Sequence, residues 1–236
     1  MSEPSPSDDL MREGEEALDL GDHERALAIF ESVLKQDPEH WGASLDRAEA
    51  LHHLWRTPEA LRAVVALRPP DGEEDDPDRA DLEARIREAS GQFDVADQLF
   101  EEAARIDPEQ FPFPPRTSPD DFRAILDEVL ESLPDLIRSA VNEVPVLVEP
   151  KPAREMAEHA THITPEILGL FVGTSVGDKL RAPSGYGDVV VLFQRNLERA
   201  GSNRDEVAQE IRITLLHEYG HYLGFDEDEI EDLGLA

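Results

Sequence analysis

The first 110 residues of the chain repeat one pattern of small and apolar residues every 34 to 36 positions. Three alanines, Ala26, Ala60 and Ala96, each stand early in an apolar stretch, and they are 34 and 36 residues apart. An apolar residue follows each alanine by four positions, and a small residue precedes it by twelve; these are Phe30, Val64 and Phe100, and Gly14, Ala48 and Ala84. Periods of this length are typical of stacked helix pairs. We therefore predict an all-α repeat domain with units near residues 7–40, 41–76 and 77–110.

The ends of the repeat units add a second signature. The first and third units end in Asp37-Pro38 and Asp107-Pro108, where proline stops the helix. The middle unit instead ends in an acidic insertion, residues 69–76. Together with the small residues, these features resemble the tetratricopeptide repeat (TPR). The resemblance implies a concave surface that binds a peptide or a partner protein; a structural appendage or a dimerisation surface is the alternative.

Composition excludes several classes of function. The formal net charge is −32, so nucleic acid and anionic membranes are not expected partners, because phosphate binding needs clustered Lys and Arg. The chain has no cysteine, which excludes disulfides and thiolate metal sites. Residues 1–9 are polar, lack the features of a signal peptide and are expected to be a disordered tail. We expect a cytoplasmic protein whose repeats occupy residues 10–110.

Residues 111–117 contain three prolines, Pro112, Pro114 and Pro115, and they predict an extended linker between the repeats and a second region. The domain that follows, residues 118–236, is expected to be α+β with a small sheet. Its first helix is expected to be capped by Ser118, and its last to begin at a capping box of Ser202 with Asp205 and to end at Gly224. The expected strands are residues 144–148 and 188–193, with a further apolar run at 167–172.

The last helix carries the pattern His217-Glu218-Tyr219-Gly220-His221. Two histidines four residues apart on a helix share one face, so both imidazoles can bind one Zn²⁺. Glu218 is placed to act as general base toward a zinc-activated water. The sequence therefore predicts a zinc centre with His217 and His221 as ligands and Glu218 as the catalytic residue.

A third metal ligand is expected near the end of the chain, because 15 residues follow His221. Glu227 is the preferred candidate, and Asp226 and Asp228 are alternatives. The upstream residues His159 and His162 are less favoured. The same acidic stretch is also suited to the N-terminus of a helix, where carboxylates interact favourably with the helix dipole.

Residues 120–236 resemble the small bacterial zincin-like metallopeptidases, the minimal zincins. The matching pieces, in order, are Glu131-Ser132-Leu133-Pro134, Val144–Val148, residues 168–173, Val189–Phe193 and the stretch LLHEYGHYLGFDEDEIEDLGL. Gly224, three residues past His221, also matches the HExxHxxGxx pattern of the metzincins. The resemblance implies a compact zincin domain with a small mixed sheet, an HExxH helix, and zinc held by the two histidines and an acidic third ligand.

Zincins commonly bind an extended substrate along an edge strand, and Val189–Phe193 is the candidate here. Its continuous apolar run fits a buried core strand equally well. Arg195 and Tyr222 lie near the site in sequence, and neither is assigned a role in stabilising an oxyanion.

Three functions are compatible with these residues. The preferred one is a zinc-dependent metallopeptidase, with a peptide or protein substrate and repeats that recruit the substrate or a partner. The alternative is a TPR adaptor whose zinc is structural. A zinc hydrolase acting on a non-peptide amide or ester is the third. Glu218 discriminates among them, since a structural zinc site needs no general base.

Overall fold

A computed structural model describes residues 6–69, 76–158, 163–173, 187–226 and 229–230. The chain divides into two packing units. The first comprises Met1–Phe113 and Ala153–Pro165, and the second comprises Pro114–Pro152 and Glu166–Ala236. Across the described ranges, no helix is both long and apolar enough to cross a membrane.

The first unit contains three helical hairpins, one for each predicted repeat. Each hairpin joins two helices through a three-residue turn; the helices are α1 (Pro6–Asp19), α2 (His23–Gln36), α3 (Trp41–His53), α4 (Thr57–Ala66), α5 (Pro77–Ala89) and α6 (Phe93–Ile106). The first helix begins at Pro6, so residues 6–9 are helical rather than part of a disordered tail. Two carboxylates in its first turn, Asp8 and Asp9, favour a helix N-terminus there.

Small residues set the distance between the two helices of a hairpin. The repeated alanines Ala26, Ala60 and Ala96 are fully buried. Gly14 of α1 faces the ring of Phe30 on α2, and a Cβ at Gly14 would lie 2.5 Å from Phe30 Cε1. The small residue of the repeat is therefore required by helix packing, as the sequence pattern predicts.

The first unit also includes a segment that the sequence placed in the second domain. Ala153–Pro165 packs with the repeats, and its residues Arg154–Glu158 form a 3₁₀ helix. Within this unit, the indole N–H of Trp55 donates a buried hydrogen bond of 2.8 Å to the carbonyl of Ile163. The boundary between the units therefore differs from the contiguous division expected from sequence.

The second unit combines helices with a small mixed sheet. Its elements are α7 (Pro119–Ser132), α8 (Asp135–Glu143), β1 (Val146–Glu149), β2 (Gly169–Val172), β3 (Val189–Phe193), α9 (Gln194–Ala200) and α10 (Arg204–Leu223). The strand order is β1-β3-β2, with β3 parallel to β1 and antiparallel to β2. The expected α+β architecture with a small mixed sheet is confirmed. The short helices α8 and α9 were not predicted.

The strand β3 lies in the centre of the sheet, which decides whether it is a substrate-binding edge strand or a buried core strand. The strand is hydrogen-bonded on both sides, and its residues from Val190 to Phe193 are buried. It is therefore the core strand of the sheet, and the expectation that Val189–Phe193 offers a substrate-binding edge is wrong. A continuous apolar run fits this position because both faces of a central strand can be covered.

The ends of the helices depend on local capping. Ser118 caps α7 by accepting a hydrogen bond from the backbone of Asp121, as expected. Helix α10 is capped by Asn203 instead of Ser202: the Asn203 side chain accepts from the backbone N–H groups of Asp205 and Glu206. The Ser202–Asp205 capping box is therefore corrected by one residue, since an asparagine caps as well as a serine.

A buried carboxylate anchors the beginning of the second unit. Glu198 on α9 has a side chain only 2% exposed, and it accepts hydrogen bonds from the backbone and hydroxyl of Thr117 at 3.0 and 2.7 Å. Gln194 and Arg116 donate to the same carboxylate. Because α9 follows β3 directly, these bonds tie the end of the proline-rich segment to the sheet.

The glycine at the hairpin contact gives a first prediction. We expect Gly14→Ala to lower the free energy of unfolding of the first unit by about 1–3 kcal/mol, because the new Cβ overlaps the buried ring of Phe30. Urea unfolding followed by tryptophan fluorescence measures this, since both tryptophans, Trp41 and Trp55, lie in the first unit.

The matched control is another helical glycine of the same unit, Gly42. Its nearest neighbour, Met11 Cε, would lie 3.5 Å from a new Cβ, which is ordinary contact. Gly42→Ala should leave stability unchanged or slightly raised, because alanine favours the helix. Equal losses in the two variants would contradict the packing role of Gly14.

The first unit also contains a carboxyl group with an unusual pKa. Burial raises the pKa of Asp46 on α3 to about 7, and the neighbouring carboxylates of Glu49, Glu15 and Asp78 add to the effect. An unfolded aspartate loses its proton near pH 3.9. Between these values the folded state binds more protons than the unfolded state, so stability falls as pH rises from about 4 to about 7.

We expect the first unit to lose stability between pH 5.5 and pH 7.5, and Asp46→Asn to lessen that loss. Urea unfolding by tryptophan fluorescence at each pH is the measurement. Parallel pH profiles for the wild type and the variant would show that Asp46 does not titrate in this range.

Candidate metal centre

The helix α10 brings the two predicted metal ligands together. His217 and His221 are half-buried, and their Nε2 atoms face each other at 3.0 Å. The ring planes are nearly perpendicular, with centroids 4.6 Å apart. Two ring nitrogens converge on one point on a single helix face, as the spacing of four predicts.

This arrangement fits a zinc ion. Two nitrogen ligands of a tetrahedral zinc, each about 2.05 Å from the metal, lie about 3.3 Å apart. The observed separation of 3.0 Å between the two Nε2 atoms therefore needs only a slight opening to admit the ion. Among the described residues, no group of three or more His, Asp or Glu side chains is arranged to hold a metal ion, so a third protein ligand is not found within these ranges.

Glu218 lies beside the first histidine and is held by a neighbouring strand. Its side chain is buried at 8% exposure, and its Oε2 accepts a hydrogen bond of 2.6 Å from the backbone N–H of Phe171 on β2. A charge-assisted hydrogen bond of this length fixes the carboxylate in one position. The predicted general base is therefore oriented by the backbone of the sheet.

The strand reaches Glu218 because it lies unusually close to the helix. A Cβ on Gly169 would lie 2.5 Å from Thr214 Cγ2 and 3.3 Å from Glu218 Cγ. Only glycine fits between β2 and α10 at this point. Residues 168–173 are part of the family resemblance, but the sequence pattern alone indicates no role for Gly169 or Phe171. The glycine within the apolar run was the signal of a close backbone approach.

Two tyrosines of the motif helix fix its position on the unit. The Tyr219 hydroxyl donates to the carbonyl of Val144 at 2.7 Å, and the Tyr222 hydroxyl donates to Glu143 at 2.8 Å. Burial raises the pKa of Tyr219, so the phenol stays neutral and remains a donor. Tyr222 also makes an edge contact with the ring of Phe171, so its role here is packing.

The acidic stretch after the motif begins a new turn of helix. Gly224 ends α10 in the left-handed conformation, with φ of 95°. Asp226 then accepts from the backbone of Glu229 at 2.9 Å, and Glu229 accepts from the backbone of Asp226 at 3.0 Å. This reciprocal cap agrees with the expected helix start, and it engages one oxygen, Oδ1, of the Asp226 carboxylate.

After Gly224 the chain packs back against the motif helix, where Ile230 contacts Gly220. A Cβ on Gly220 would lie 2.9 Å from Ile230 Cγ1, and Ile230 is fully buried. Glycine at position 220, next to His221, is thus required by the close approach of Ile230. The other candidate ligands, Glu227, Asp228, His159 and His162, lie outside the described residues.

Comparison with known proteins agrees with both resemblances. Residues 141–235 match the family model for zincin-like metallopeptidases, and residues 11–72, which span the first two hairpins, match a tetratricopeptide repeat model. No curated protein matches the chain. The chain thus joins a region that matches the tetratricopeptide repeat model to a region that matches the model of zincin-like metallopeptidases.

Proposed function

We propose that the C-terminal region is a zinc-dependent peptidase in which Glu218 is the general base. The observation that supports this most strongly is the convergence of His217 and His221, with Nε2 atoms 3.0 Å apart, beside a buried and oriented carboxylate. A pair of surface histidines would not explain why the adjacent glutamate is held by the strand.

Zinc bound at His217 and His221 would supply a water of lowered pKa and polarise the scissile carbonyl. Glu218 would accept a proton from the attacking water and deliver it to the nitrogen that leaves as the amine. The N–H of Phe171 bonds to one oxygen of the Glu218 carboxylate and would keep it in place during both transfers.

The edge of β2 is suited to an extended peptide. The N–H of Phe193 donates to the carbonyl of Leu168, so the backbone N–H and C=O groups of alternate residues of β2 point toward β3. The backbone groups of Gly169 and Phe171 therefore point away from β3. Within the described residues β2 is paired on one side only. Because Glu218 takes the N–H of Phe171, a peptide adding to this edge would pair with the backbone of Gly169 and the carbonyl of Phe171. Such a peptide would lie beside the motif helix, which favours a peptide over a small amide or ester as substrate.

We propose Glu227 as the third zinc ligand. The Oδ1 atom of Asp226 accepts a hydrogen bond from the backbone of Glu229, which assigns this side chain to the cap of the following helical turn. Ile230 packs against Gly220, so the chain at Ile230 lies against α10 next to His221. Glu227 stands between these two fixed points in sequence.

We further infer that the repeats bind a partner or substrate protein. Helices α1 and α3 of the first unit line a cavity of about 300 Å³ whose walls are mostly acidic, formed by Glu15, Leu18, Asp19, Asp46, Glu49 and His53. Such a surface is complementary to a basic segment of a protein.

A competing function is an adaptor in which the zinc site is structural. The hydrogen bond from Phe171 to Glu218 is compatible with this adaptor function, because it gives the glutamate a structural role in holding the strand β2. The two functions therefore differ in whether Glu218 must carry a proton.

Glu218→Gln separates these roles. Glutamine can still accept the Phe171 N–H bond but cannot take a proton from water. We expect the variant to keep its zinc and to lose hydrolysis by about 10²- to 10⁴-fold, measured on a broad library of unstructured peptides. A wild-type, zinc-loaded protein that cleaves nothing in the library, or a variant with unchanged activity, would contradict the peptidase assignment.

Glu227→Ala tests the third ligand. We expect zinc affinity to fall at least about tenfold, measured by competition with a chromogenic chelator. Asp226→Asn is the matched control: it removes a neighbouring charge, keeps a side chain able to cap the helix, and should retain affinity. A loss confined to Asp226→Asn would move the assignment to Asp226.

A further inference from the structure

The turn between the two helices of each repeat adopts a left-handed backbone at the same position. In the first and third repeats this position is Gly21 and Gly91, both with φ of 73°. In the middle repeat it is Trp55, with φ of 58°. All three residues stand five positions before the repeated alanine of their unit.

Glycine is the expected residue at this position because it enters the left-handed region without penalty. An L-residue with a bulky side chain is disfavoured there, by roughly 1–2 kcal/mol. Trp55 is the one non-glycine residue with positive φ in the described part of the chain. A strained tryptophan at a glycine position requires a compensating interaction.

The compensation is the contact with Ile163. The side chain of Trp55 is 9% exposed, and its indole N–H donates 2.8 Å to the Ile163 carbonyl. Ile163 is itself only 4% exposed. Both residues belong to the first packing unit, although Ile163 lies in the connection between β1 and β2 of the metallopeptidase region.

We propose that Trp55 is a positioning residue that couples the repeats to the catalytic strand β2. It holds the chain at Ile163, six residues before β2 begins. The same connection is held again at Ile167, whose carbonyl accepts a 2.6 Å hydrogen bond from the buried Asn196. These two attachments restrain the entry to β2, and Phe171 of that strand orients Glu218.

The coupling gives the repeats a route to the active site that needs no direct contact with substrate. A partner that disturbs the turn between α3 and α4 would release Ile163 and loosen β2. The effect of this coupling on catalysis rests on the proposed role of Glu218. The attachment of Ile163 to Trp55 does not depend on that role.

Hydrogen exchange followed by mass spectrometry tests the proposal on the full chain. Trp55→Gly removes the indole and gives the turn the residue that the other two repeats use. Trp55→Phe keeps an aromatic ring and removes only the donor. We expect amide exchange in residues 163–173, including Phe171, to become up to about tenfold faster in both variants, as for the loss of one net hydrogen bond.

The matched control is Trp41→Phe, which alters the other tryptophan of the same unit and should leave exchange in 163–173 unchanged. The helix α7 in the second unit serves as an internal reference. Unchanged exchange in 163–173 in both Trp55 variants would overturn the proposal. Faster exchange confined to residues 163–165, with β2 unchanged, would also overturn it, because the attachment would then be local.

The exchange experiment needs neither zinc nor substrate. An inactive wild-type protein would therefore count against the proposed peptidase function and leave the coupling intact. If the peptidase is active, Trp55→Gly should lower the rate of hydrolysis while the zinc content stays the same.

Discussion

The candidate site depends on the close approach of the strand β2 to the helix α10. This approach is possible because Gly169 has no side chain, and it brings the N–H of Phe171 within 2.6 Å of the Glu218 carboxylate. The helix carries the two proposed metal ligands, His217 and His221, and the strand fixes the Glu218 carboxylate beside them. A methyl group at Gly169 would push the two elements apart by its overlap with Thr214.

Glycines that permit close packing of neighbouring elements recur elsewhere in the chain. Gly14 makes room for the ring of Phe30 in the first hairpin, and Gly220 makes room for Ile230 next to the proposed metal ligand His221. In each case a glycine inside a regular element lowers the intrinsic stability of that element, and a bulky neighbour compensates by filling the space. Trp55 is the converse case, where a bulky residue occupies a position that suits glycine.

Sequence patterns predicted the parts of the structure that follow from periodicity and spacing. The helical hairpins followed from the recurrence of Ala26, Ala60 and Ala96, and the convergence of His217 and His221 followed from a separation of four residues. The strand order did not follow, because the apolar run of β3 suits a central strand and an edge strand alike. The bond to Glu218 was also beyond prediction, since its donor is a backbone group whose position depends on tertiary packing.

X-ray absorption at the zinc K edge of the purified protein most directly tests whether this chain holds a catalytic metal on its motif helix. We predict about one zinc per chain, with two imidazole nitrogens at about 2.0–2.1 Å and oxygen donors completing the shell. A protein that takes up no stoichiometric zinc, or a zinc shell without imidazole nitrogen, would contradict the assignment of His217 and His221.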